Sequence, residues 1–178
     1  MARHIAFALV FVLQAGVDAQ PDPRAMITSL YTRTLADMQK ATTAGEIDRI
    51  VDAIDAPDWV SINADGTRMT REEAKRELVR SLAGPRGEQP TLDLLWFHHA
   101  GNTATSVAWV FGKSQTTDAT GEFGPRGARH EVLVGALVRD SWILTNAGWR
   151  RRMHEKIFPN RILALDGKSA VFPPSRSQ

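Results

Sequence analysis

The residues able to move a proton or hold a small ligand are concentrated where the chain alternates apolar and polar side chains. His98, His99 and His130 are the candidate proton carriers, because imidazole is the side chain that ordinarily titrates between about pH 5 and 8. Consecutive strand residues point to opposite faces, so only one of His98 and His99 can face an interior. His130 alternates with Val132, Val134 and Ala136, which turns it toward the same interior as those residues. Asp65 offers a carboxylate, but Asp65-Gly66 is also a simple turn signal. Trp59, Trp96, Trp109, Trp142 and Trp149 all fall in predicted strands. Trp109 with Phe111, and Trp96 with His98, can form an apolar wall carrying a few polar points, the usual character of a small-ligand pocket. Arg150-Arg151-Arg152 with Lys156 reads as a solvated strand edge that blocks further pairing, with an anionic partner as the alternative. Two histidines on opposite faces do not converge as metal ligands, and neither a phosphate-binding glycine loop, a nucleophile elbow nor an HExxH motif occurs. No metal and no cofactor are expected.

These residues need elements to position them. Asp22 and Pro23 suit an N-cap and a first helical position, and Met26, Ile27, Leu30, Tyr31, Leu35 and Met38 recur at helical spacing over about 23–43. Ile47, Ile50, Val51 and Ile54 form the stripe of a second helix. Trp59–Asn63 reads as a short strand. Thr70-Arg71-Glu72-Glu73 is a capping box that opens a third helix. From Thr91 the period shortens to two, with strands over 91–99 and 103–113, a polar loop over 114–127, then strands over 128–139 and 142–152 joined by a turn at Asp140-Ser141. Residues 161–165 and 170–172 around Asp166-Gly167 suit a small hairpin or an ordered tail. Helices first and strands afterwards argue for an α+β fold, with the helices on one face of a curved antiparallel sheet.

The 178 residues are 43% hydrophobic and 24% charged, which excludes disordered, collagenous and coiled-coil classes. The formal net charge is only +2, so no nucleic-acid partner is expected. Cysteine is absent, which removes disulfides, thiol nucleophiles and thiolate metal sites. Residues 1–19 show a basic start, an apolar run from Ile5 to Leu13 and small residues before Gln20, the pattern of a cleaved signal peptide. The expected organisation is a signal peptide over 1–19, one domain over 23–156 and a tail over 157–178. The expected location is secreted or periplasmic, with no membrane association after cleavage. Large apolar residues on both faces of 103–113 and 128–139 predict a homodimer through the outer sheet face, unless residues 157–172 cover it.

Four motifs in this order resemble the nuclear-transport-factor-2-like superfamily, in its SnoaL-like or ketosteroid-isomerase-like branch. They are Thr43-Ala44-Gly45-Glu46-Ile47-Asp48, Trp59–Gly66, Thr70-Arg71-Glu72-Glu73, and Arg139-Asp140-Ser141-Trp142-Ile143-Leu144 with Trp149. The resemblance covers about residues 24 to 153. It implies a cone-shaped, curved antiparallel sheet with three helices from the N-terminal half packed on its concave face, an open-ended pocket, and frequent dimerisation.

The resemblance also places residues. The isomerase branch has its base near Asn63, where an amide cannot move a proton. Its oxyanion tyrosine falls near Met38, whereas the single tyrosine here is Tyr31. Dehydratase-like members use a His and an Asp in the cone. A polar residue at Asn146 is carried over as lining the pocket. Two readings follow. In the first, the chain is an exported binding or accessory domain whose apolar pocket takes an unknown small apolar ligand through Tyr31, Trp59, Asn63, Trp96, His98, Trp109 and Asn146. In the second, it is a SnoaL-like isomerase or lyase acting on a small hydrophobic carbonyl compound. There His130 (or His98) or Asp65 transfers the proton, and Tyr31 or Asn63 polarises an oxygen.

Overall fold

A computed structural model describes residues 22–84, 87–158 and 160–169. The expected signal segment lies outside them. The elements are α1 (Pro23–Lys40), α2 (Ala44–Ile54), β1 (Asp55–Ile62), β2 (Arg68–Thr70), α3 (Arg71–Ser81), β3 (Thr91–Ala100), β4 (Thr103–Thr117), β5 (Arg129–Thr145), β6 (Gly148–Lys156), β7 (Arg161–Leu165) and β8 (Lys168–Ser169).

Local chemistry starts each helix. The Asp22 carboxylate accepts from the Arg24 N–H at 3.0 Å, and proline occupies the first turn of α1. Thr43 with Glu46 and Thr70 with Glu73 close capping boxes on α2 and α3, each satisfying two N–H groups that a bare helix end leaves without partners. The apolar stripe of α2 buries Ile47, Val51 and Ile54.

The strands form one open sheet in the order β2-β1-β6-β5-β4-β3, with β7 pairing β5 and β8 pairing β7. β4 covers one edge of β5 along its length. The other edge of β5 is shared by β6, over Val138–Thr145, and β7, over Val132–Gly135. Register shifts at Leu94/Trp96, Leu133/Val134 and Ser141/Trp142 act as bulges, which bend strands and increase their twist. The bent sheet wraps the helices. Ile27, Leu30, Tyr31 and Ile54 pack on Ala104, Trp142 and Trp149 as one core. Ala108, Ala136 and Val138 continue the concave face toward the cone.

Three details differ from the sequence reading. The sheet is mixed, because β1 runs parallel to β6. Asp140-Ser141 is not a turn: β5 continues through it to Thr145, and the hairpin turns at Asn146-Ala147. Gly148 supplies the left-handed backbone there, at φ +96°, and the Thr145 hydroxyl donates to the Gly148 carbonyl at 2.8 Å. The arginine run is also not a free edge, since β6 lies between β1 and β5.

Candidate functional site

β5 places Val134, Ala136, Val138, Asp140 and Trp142 on its concave face by alternation, and β4 places Ser106, Ala108 and Val110 opposite them. Between this wall and the helices is a cavity of about 510 Å³. Its apolar lining includes Leu35, Met38, Ile54, Leu78, Val110 and Val138. Its polar lining includes Tyr31 from α1 and Arg151, His154 and Lys156 from β6.

The polar groups at one end form a single network. Asp140 is 0% exposed, and Tyr31 donates its hydroxyl proton to Asp140 Oδ2. His154 Nδ1 lies 2.8 Å from Asp140 Oδ1. Both carboxylate oxygens accept, so the proton of this contact sits on Nδ1, and Nε2 is the ring nitrogen turned away from Asp140; Arg151 Nη1 stands 3.4 Å from the same Nδ1. Ser106 Oγ accepts from Trp142 Nε1 at 2.9 Å and lies 3.4 Å from the Tyr31 hydroxyl, to which it can donate. Arg151 Nε donates to Asp55 Oδ1 at 2.8 Å, and its Nη1 lies 3.7 Å from Asp140 Oδ1. The guanidinium also stands 5.6 Å over the Trp59 ring. Burial opposes the charge on Arg151, but the Asp55 and Asp140 carboxylates outweigh it and hold its pKa above the ordinary arginine value.

A buried carboxylate tolerates its environment only when donors surround it. Here those donors come from α1 and β6, with β4 bracing the tyrosine, so the network also locks these elements together. A carboxylate that orients, through Nδ1, a histidine standing at a cavity wall is the arrangement a general base requires.

The residues expected from the sequence are distributed differently. Tyr31 lines the cavity, and Trp59 backs Arg151 without being among the lining residues. Trp109 points away from the cone, because its neighbours Ala108 and Val110 face inward. Trp96 and His98 stack on each other, 6.0 Å between ring centroids, on that outer face of the edge strand. Asn63 and Asp65 belong to the turn after β1, where the Asn63 amide donates to the Thr67 hydroxyl at 3.0 Å. Asp65 accepts from the Thr67 hydroxyl and backbone N–H, which lower its pKa below the usual carboxylate value; that suits a turn anchor and not a proton carrier near neutral pH. Asn146 is exposed in the β5–β6 turn.

His130 does share the inward face of β5 with Val132 and Val134, but it sits ten positions before Asp140, roughly 33 Å along an extended strand. Its Nδ1 pairs with Asp166 Oδ2 at 2.7 Å, its ring meets the edge of Phe123, and it does not line the cavity. The hydrogen bonds from His130 and the Glu131 N–H hold the Asp166 pKa low. His130 thus ties the β7–β8 hairpin to β5. The sequence reading missed Asp140, Arg151 and His154. The signal available was the alternation of Arg152 with Arg151 and Met153 with His154, which puts Arg151 and His154 on opposite faces unless the strand is bulged; the register shift at Ser141/Trp142 brings both inward.

No family model and no curated protein matches this chain. Solved structures do match. A conserved protein from Planctomyces limnophilus is 13% identical with a TM-score of 0.56, over 75% of this chain and 93% of that one. A nuclear-transport-factor-2-like superfamily protein from Salmonella enterica is 14% identical with a TM-score of 0.53, over 88% and 97%. A nuclear-transport-factor-2-like protein from Novosphingobium aromaticivorans is 17% identical with a TM-score of 0.50, over 82% and 84%. The helix order, the curved sheet and these likenesses together show that the chain has the nuclear-transport-factor-2-like fold.

Proposed function

We propose that the cavity binds a small apolar carbonyl compound and that His154 moves a proton on it, making the protein an isomerase or lyase of this fold. The observation that carries this reading is the His154–Asp140 pair at the cavity wall. In the proposed step, Nε2 removes a proton from carbon beside the carbonyl and returns it to the same ligand, or assists departure of a leaving group. Asp140 holds the ring and favours the imidazolium that forms. Arg151 spends Nε on Asp55 and directs Nη1 at Asp140, leaving Nη2 to donate to the carbonyl oxygen as charge develops there. Tyr31 acts through Asp140, since its proton is already committed.

The test is exchange of α-protons for deuterium in small cyclic ketones and enones, followed by proton NMR. His154→Gln should slow the protein-dependent exchange by about 10² to 10⁴, the range for losing a general base. Equal exchange in the two proteins would remove His154 from the chemistry. Ligand binding without any exchange favours the alternative of a non-catalytic binding domain. The reading further includes export, on the strength of residues 1–19, for which amino-terminal sequencing of exported protein should begin at Gln20.

A further inference from the structure

We propose that the ligand of this cavity carries a carboxylate, held by Lys156 beside the His154–Asp140 pair. The proposal rests on the cavity reading above and adds the charge and rough shape of what enters.

The charged groups lining the cavity are Glu88, Lys113, Arg151, His154 and Lys156. All but one of the cationic or ionisable nitrogens have acidic partners. Lys113 Nζ lies 3.3 Å from Glu131 Oε1. Arg151 is bonded to Asp55 and faces Asp140, and His154 is bonded to Asp140. Glu88 is exposed on the segment leading to β3, where its backbone N–H donates to the Lys113 carbonyl at 2.9 Å. Lys156 is half-buried, and no described carboxylate lies within ion-pairing distance of it. Its register partner is Val138, on the concave face, so its stem runs along the apolar wall. A cation beside low-dielectric walls with no counter-charge attracts an anion more strongly than an exposed lysine does.

The position of Lys156 restricts the anion. Lys156 and His154 are alternate residues on β6 and share its inward face, about 6.6 Å apart along the strand. A ligand held by both has its carboxylate several bonds from the carbon that loses the proton. One lysine matches a single negative charge, so a carboxylate fits better than a doubly charged phosphate. The remaining walls are aliphatic. The chemical class is therefore an apolar oxo-acid, with its carbonyl toward Arg151 and His154 and its carboxylate toward the Lys156 side of the cone.

The test uses a neutral fluorescent probe, N-phenyl-1-naphthylamine, displaced near neutral pH by 4-phenylbutanoate or by 4-phenylbutan-1-ol, which share a carbon skeleton. Wild-type protein should bind the acid about tenfold more tightly than the alcohol, the scale of one charge-assisted contact. Lys156→Met should abolish that preference by weakening the acid about tenfold while the alcohol stays within about twofold. Lys156→Arg should retain most of it. A preference that survives in Lys156→Met, or is absent from wild type, overturns the Lys156 proposal while leaving the cavity reading intact. Failure of the probe and the alcohol to bind at all overturns both. Far-ultraviolet circular dichroism confirms that each variant is folded before its affinities are compared.

Discussion

Replacing Asp140 by Asn keeps the shape of the side chain and removes its charge, which isolates the role of the network. In the wild-type protein Asp140 is fully buried, and its two oxygens accept from Tyr31 and His154. An amide has one oxygen and one NH2 group, so it accepts from one partner and turns its NH2 toward the N–H or O–H of the other. Losing one hydrogen bond to a charged group costs about 1.5–3 kcal/mol, and a buried donor left facing a donor adds about 1–3 kcal/mol. Part of this is recovered because the other His154 tautomer can accept from the amide NH2. The expected destabilisation is about 3 kcal/mol, well inside the 5–15 kcal/mol typical of a domain, so the variant should still fold. Urea unfolding should show a midpoint lower by about 1–3 M with an unchanged slope, for slopes of about 1–3 kcal/mol/M. Tyr31→Phe removes one of the two donors and should cost about 2 kcal/mol alone. Once Asn stands at 140, Tyr31→Phe should cost much less, giving a coupling of about 1–2 kcal/mol in a double-mutant cycle. A cycle that is additive within about 0.5 kcal/mol would mean that Tyr31 and Asp140 do not interact, and the site described above would lose its foundation.

Two further outcomes are expected. Asp118 accepts from the backbone N–H groups of Thr120, Gly121, Glu122 and Phe123; burial opposes its charge, but these bonds prevail and lower its pKa from 3.8 to about 2. A depressed carboxylate stabilises the fold above its unfolded value and loses that contribution as pH falls through the folded one. Asp118→Asn should therefore weaken the protein at neutral pH, and the gap from wild type should close between about pH 4 and pH 2; a gap that stays constant over that range contradicts the anchor. The outer sheet face carries Val107, Trp109, Phe111, Leu133 and Leu137, and Leu163 of β7 reaches over the Gly135 end of it. We propose that a second copy covers the rest, so light scattering at micromolar concentration should report a dimer and Trp109→Lys a monomer; a monomeric wild type refutes it.

Much of the architecture could be read from local chemistry. Asp22, Thr43 with Glu46, and Thr70 with Glu73 announce the helix starts because caps act within a few residues. Period-two alternation shows which side chains of 103–111 share a face. It does not say which face becomes the inside, and Trp109 and Trp96, expected in the pocket wall, stand on the outer face. Asp140-Ser141 has the composition of a turn, yet the carboxylate is held inside a strand by Tyr31, 109 positions away. Arg151 looks like part of a solvated run until β1 pairs with β6 and brings Asp55 to it from 96 positions earlier. Alternation offers His130 and passes over His154, and only the folded chain separates them, by pairing His130 with Asp166 and His154 with Asp140. Short-range capping and periodicity are properties of the sequence itself. The site is made of contacts among α1, β1, β4, β5 and β6, and its charges meet only when the bulged register at Ser141/Trp142 turns them to a common interior.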